Sequence, residues 1–116
     1  MSIGLSHTGA EIRPECGIGP GLLIQHPSGI VIGSGVVIGA RCTLLQNVTL
    51  GEKYSHLGGH HYPRLGNNVT VCAGAVVLGS VVLGDDAVIG ANSVVLSDVP
   101  SGTTAIGAPA RIVRRA

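Results

Sequence analysis

From Ile12 onward an aliphatic residue returns at every sixth position. The series runs Ile12, Ile18 and Ile24, then Ile32, Ile38, Leu44 and Leu50, and resumes as Leu65, Val71, Val77, Leu83, Ile89 and Val95. Four residues after these leads comes a second, smaller class, including Cys16, Leu22, Ser28, Val36, Cys42, Val48, Val69, Ala75, Val81, Ala87 and Ser93. Glycine often follows the lead, as at Gly19, Gly39, Gly66 and Gly84. A six-residue period fits neither a helix nor an alternating hairpin sheet. It predicts a parallel β-solenoid, each hexad supplying one short strand and one corner. Three hexads close a triangular coil of eighteen residues, and the leads stack into interior columns. The stretches "GNN" (66–68), "GDD" (84–86) and "GAN" (90–92) read as corners, where Gly, Asn and Asp take up backbone conformations that β-branched residues resist. The expected fold class is all-β, one parallel β-helix domain over 1–116 with a C-terminal tail at about 101–116.

The period breaks twice. Within "LLIQHPSGIVIG" (22–33), Ile32 follows Ile24 only after eight residues, and His26 sits inside the irregularity. Between Leu50 and Leu65 the step is fifteen. That insert, "GEKYSHLGGHHYPR" (51–64), holds both tyrosines, Tyr54 and Tyr62, three of the five histidines, His56, His60 and His61, and the only lysine, Lys53. Its composition predicts a loop thrown out from one corner, and long loops on rigid scaffolds are where function concentrates. A tolerated insertion is the bland alternative.

Composition narrows the class. At 116 residues, without Phe or Trp, the core must be filled by Ile, Val, Leu and Ala in layers. A net charge of +1 carries no signal for nucleic acid or another bulk polyanion. Arg111, Arg114 and Arg115 crowd the end of the chain, as a solvated tail or as phosphate contacts. No apolar run approaches a membrane span, and "MSIGLSHTGAEIRPE" lacks the layout of a signal peptide, so a cytoplasmic location without membrane contact is expected. Cys16, Cys42 and Cys72 are odd in number and form no CxxC pair, against a disulfide framework or zinc ribbon. Open ends and flat apolar faces predict self-association.

The segments "EIRPECGIGPGLLIQHPSGIVIG", "LLQNVTLG", "GGHHYP", "VTVCAGAVVLG", "IGANSVVLSDVP" and "AIGAPARIV" span Glu11 to Val113. In that order they resemble the hexapeptide-repeat acyltransferases, and are most similar to the serine acetyltransferases. The resemblance implies a left-handed coil, although the usual crossover rule favours the opposite hand. It also implies an acetyl-CoA-dependent O-acetyltransferase acting as a homotrimer on a small-molecule hydroxyl acceptor, with no metal. By the same resemblance His26 is the general base, and a neutral imidazole suits the proton of a hydroxyl attacking a thioester. Glu11, fifteen residues earlier, stands where the family has the aspartate that orients the base. Ala73 and Ala91 match small residues along coenzyme A, Gly58 and Gly59 offer loop amides to the thioester oxygen, and Arg111 and Arg114 are phosphate candidates.

The departures concern the acceptor. Gln25 replaces a family aspartate that contacts the amino-acid substrate. Tyr62 replaces a loop histidine that helps hold its carboxylate, although His61 is adjacent. The family's N-terminal helical domain has no counterpart. Losing a carboxylate beside an ammonium removes a charge-assisted hydrogen bond of about 1.5–3 kcal/mol. A sugar or other small alcohol therefore stands beside serine as a candidate acceptor. Two other classes stay open: a metal-dependent hydratase like the gamma-class carbonic anhydrases, on the H-x4-H spacing of His56 and His61, and a non-catalytic solenoid assembly module.

Overall fold

The computed structural model describes residues 3–5, 10–53 and 61–115, with side chains over 10–53 and 61–113. Each hexad forms a two- or three-residue strand, and the strands stack into three sheets. The first face carries β1 (Ile3–Leu5), β2 (Ala10–Ile12), β5 (Val31–Ile32), β8 (Thr49–Gly51), β11 (Val76–Leu78) and β14 (Val94–Val95). The second carries β3 (Gly17–Ile18), β6 (Val37–Ile38), β9 (Arg64–Leu65) and β12 (Val82–Leu83). The third carries β4 (Leu23–Ile24), β7 (Thr43–Leu44), β10 (Thr70–Val71), β13 (Val88–Ile89), β15 (Thr103–Gly107) and β16 (Ala110–Arg115). Pairing is parallel except for β1 on β2 and β16 on β15, which are antiparallel and lie at opposite ends of the stack.

Register follows the leads. Ile12, Ile32, Leu50, Val77 and Val95 form one column. Ile18, Ile38, Leu65 and Leu83 form the second, and Ile24, Leu44, Val71, Ile89 and Ala105 the third. Both breaks are crossed without a slip in register, and the surplus residues of the first, within 25–29, are exposed. Ile32, Leu44, Leu50, Val71, Val77, Leu83 and Ile89 are all 0% exposed. Each such burial is worth about 1.5–3 kcal/mol, which is how a chain without Phe or Trp assembles a core.

Two expectations change. Ser28 does not take the inward small position of the first coil: it is exposed, and Ile30 is buried in that place. The inward position is counted back from the following lead, so the two extra residues are absorbed before Ile30. The glycines after the leads are also not there for unusual backbone angles. A Cβ on Gly39 would stand 2.5 Å from the Gly66 carbonyl oxygen, and one on Gly19 2.7 Å from the Gly39 carbonyl carbon, so close coil-to-coil approach selects them. The left-handed backbone falls at corner residues such as Asn47 (φ 61°), Asn68 (φ 60°), Asp86 (φ 64°) and Asn92 (φ 59°). The corner between the second and third faces is further stapled by side chains. Asn67 Oδ1 accepts the Ala40 N–H at 2.8 Å, and Asp85 Oδ1 accepts the Asn67 N–H at 2.7 Å.

Candidate functional site

The eight-residue step lies at the corner where the third face turns into the first, here the histidine corner. Residues 25–29 are all exposed, while Ile24 and Ile32 keep their in-register partners Leu44 and Leu50. The bulge therefore projects His26 away from the core. Its backbone is held by Gln25 N–H to Leu44 O (3.3 Å) and Ile30 N–H to Pro27 O (3.3 Å). Asn47 N–H to Ser28 O (2.9 Å) ties it to the next coil.

The same corner continues upward. Gly74 N–H donates to Gln46 O at 3.0 Å and Asn92 N–H to Ala73 O at 2.9 Å. Ser28, Gln46, Ala73 and Ala91 therefore stack at one corner, spaced about 4.8 Å per coil. Gln25, His26, Ala73 and Ala91 share this edge. Gln46 lies between them, and its side-chain carbonyl oxygen is buried without a hydrogen-bond partner.

Glu11 lies on the first face, where its N–H donates to Ile30 O at 2.7 Å. Its exposed carboxylate is 4.0 Å from the Arg13 guanidinium and, among the described residues, makes no hydrogen bond to His26. Arg111 is exposed on β16, paired opposite Ile106, so its segment is an ordered strand. Arg114 pairs with Thr104 through the backbone, and its side chain lies outside the described residues.

His61 and Tyr62 stand elsewhere, at the corner between the first and second faces from which the insertion leaves. Lys53 N–H donates to His61 O at 3.1 Å, closing the neck of the insertion. Gly58, Gly59, Tyr54, His56 and His60 lie outside the described residues. Above the neck, a groove of about 560 Å³ is lined by Lys53, Leu78, Gly79, Ser80, Val81, Leu96, Ser97 and Asp98. Gln25, His26, Ala73 and Ala91 thus stand at one corner of the prism and His61 and Tyr62 at another, so one chain does not bring these two groups together.

Two of the three thiols are shaped by burial. Burial pushes the Cys42 thiol up from its ordinary value of 9.0, and Cys16 moves the same way for the same reason. Cys42 is fully buried and Cys16 half-buried, as spacers at the inward position. Among the described residues no three His, Cys, Asp or Glu side chains gather to hold a metal, and no helix is long and apolar enough to cross a membrane.

The pattern of the bacterial transferase hexapeptide (six repeats) matches residues 62–97, and that of the hexapeptide repeat of succinyl-transferase matches 29–54. A serine acetyltransferase of Helicobacter pylori (strain J99) is 51% identical over 108 residues, covering 93% of this chain and 63% of its own length. The chain thus carries the transferase hexapeptide pattern over these two stretches and is similar to serine acetyltransferases. A crystal structure of Neisseria gonorrhoeae serine acetyltransferase in complex with serine superposes with a TM-score of 0.85 at 40% identity, over 91% of this chain and 43% of that one. A serine acetyltransferase complex with CoA gives 0.83 at 43% identity, over 90% and 42%. The chain therefore spans about two fifths to three fifths of these relatives. The chain shares the β-helix fold of these structures.

Three features of this chain escaped sequence reasoning. The orphaned Gln46 carbonyl carries no signal, since its burial depends on the coils around it. The groove beside Lys53 joins residues from three successive coils. The contacts of Tyr62 reach back twenty-eight residues to Ser34, and only the repeat register, counted across the insertion, could have suggested that neighbour.

Proposed function

We propose that this chain is the β-helix of an acetyl-CoA-dependent O-acetyltransferase of the serine acetyltransferase type. The observation that carries the reading is the histidine corner, where the bulge holding His26 continues into the column of Ala73 and Ala91. Small side chains there leave room for an extended pantetheine arm along roughly 10–15 Å of groove. His26 accepts the proton of the acceptor hydroxyl as its oxygen attacks the thioester carbonyl carbon. The tetrahedral intermediate collapses by breaking the carbon–sulfur bond, and the imidazolium returns the proton to the departing thiolate. An ester and free coenzyme A result, with no covalent enzyme intermediate. Glu11 steadies the imidazolium once its exposed carboxylate turns from Arg13 toward His26, Gly58 and Gly59 offer amides to the oxyanion, and Arg111 and Arg114 meet the phosphates.

The division of candidates between two corners supports a homotrimer, in which the insertion corner of one subunit faces the histidine corner of the next. His61 then reaches an acceptor bound beside the neighbour's His26 and Gln25. A cytoplasmic location, where acetyl-CoA is available as co-substrate, fits this reading. The test is release of free thiol from acetyl-CoA across a panel of acceptors. His26→Ala should lower kcat about 10²–10⁴-fold. Equal turnover by both proteins would remove His26 from the mechanism, and no coenzyme A binding by calorimetry would favour an assembly module.

A second reading concerns the acceptor. Gln25 is neutral, and the Tyr62 hydroxyl is engaged within its own chain by Ser34 and Glu52. Both favour an uncharged alcohol such as a sugar over serine. Turnover of serine above every sugar in the panel would reject that reading.

A further inference from the structure

Tyr62 sits in a socket made for its ring. The ring lies over Gly33 and Gly35, two coil residues that precede the insertion. A Cβ on Gly33 would stand 2.8 Å from Tyr62 Cε1, and one on Gly35 2.6 Å from Cε2 and 2.8 Å from Cγ. All three of the nearest atoms to that imagined Gly35 Cβ belong to this ring, and Gly35 has no positive φ to explain its identity. At the rim, the Tyr62 hydroxyl lies 3.2 Å from Ser34 Oγ and donates to Glu52 Oε1 at 3.5 Å. Ser34 belongs to the coil below, while Glu52 and Tyr62 flank the Lys53–His61 bridge on the two sides of the neck. One half-buried side chain therefore joins the coil to both sides of the insertion's stem, next to the Lys53–His61 backbone bond.

We infer that Tyr62 is a positioning residue: a clamp that seats the neck of the insertion in the Gly33–Gly35 socket and so fixes the direction of His61. This assigns Tyr62 a different task from direct contact with the acceptor. It rests on the proposed transferase only for its kinetic readout, because the clamp itself is read by proteolysis. Lys53, the sole lysine, lies in the neck, so trypsin cutting after it reports neck opening. Where reclosing is fast, the cutting rate follows the population of the open form.

The experiment compares wild type, Tyr62→Ala, Gly35→Ala and the double variant. Gly35→Ala removes no group that a substrate could touch; it only fills the socket. Cutting after Lys53 should accelerate on the order of tenfold or more in Tyr62→Ala and in Gly35→Ala, with the thermal midpoint nearly unchanged. In the Tyr62→Ala background, Gly35→Ala should add little, since the ring it displaces is gone. Both single variants should raise the acceptor KM by similar factors. If Tyr62→Ala alone raises that KM, while Gly35→Ala is silent in both assays, Tyr62 contacts the acceptor and the clamp is refuted. Unchanged cutting in both single variants refutes it as well. A protein that transfers no acetyl group to any acceptor counts against the proposed function, and the cutting rates still decide the clamp.

Discussion

Gly29, three residues beyond His26, separates two physical demands on a corner. Its φ is +73°, and the place where a Cβ would stand is filled by the Asn47 side-chain amide, with Asn47 Cγ 3.1 Å away. Gly102 supplies the internal control: its φ is +70°, and a Cβ there would meet nothing within 4 Å. Gly102→Ala should thus show the backbone term alone, about 1–2 kcal/mol for an L residue in the left-handed region. Gly29→Ala adds a steric term of about 1–3 kcal/mol for overpacking, because Asn47 is held at its own corner by Asn47 N–H to Ser28 O at 2.9 Å. The expected total is about 2–5 kcal/mol. Asn47→Gly removes the obstructing amide and suits φ 61° at that position, so the double variant should fall back to the cost of Gly102→Ala. Urea unfolding followed by circular dichroism, at fixed protein concentration, measures all four proteins. If Gly29→Ala costs no more than Gly102→Ala, or if Asn47→Gly gives no relief, the close approach of these two coils is not what selects glycine.

Other outcomes follow from the same geometry. Leu44→Ala, at a fully buried site, should lower stability by about 2–5 kcal/mol in the same assay. Asn67→Ala leaves the Ala40 N–H without its acceptor on an exposed corner and should cost about 0.5–1.5 kcal/mol. The raised Cys42 thiol predicts a stability that is full below the ordinary value of 9.0 and declines as pH rises above it, since the unfolded chain loses that proton first. Cys42→Ala should flatten this decline in unfolding measured from pH 8 to 10.5, and an equal slope in the variant would count against it.

How far the sequence reached differs between scaffold and site. The three interior columns were legible because each lead occupies one rigid geometric place, so a period of six maps onto strand, corner and face without tertiary knowledge. The same logic failed locally at Ser28, where counting forward from Ile24 ignored that the ladder resumes from Ile32. His26 was legible through the interruption of the period, and Ala73 and Ala91 through their separation of one coil. Tyr62 was read by its place in the insert, and that reading did not reveal its contacts with Gly33, Ser34, Gly35 and Glu52.

By itself the sequence determined the coil, its register and the two corners at which the pattern is interrupted. A repetitive burial pattern is a one-dimensional code for a one-dimensional stack, and each hexad meets mainly its neighbours one coil away. Only the tertiary structure decided which outward groups share a corner and which are already engaged. Those contacts depend on where surplus backbone is displaced and on spaces left by absent Cβ atoms, neither of which is written in any single hexad. Thus His26 shares an edge with Ala73 and Ala91, His61 stands at another corner, and the Tyr62 ring fills a socket that two glycines leave open.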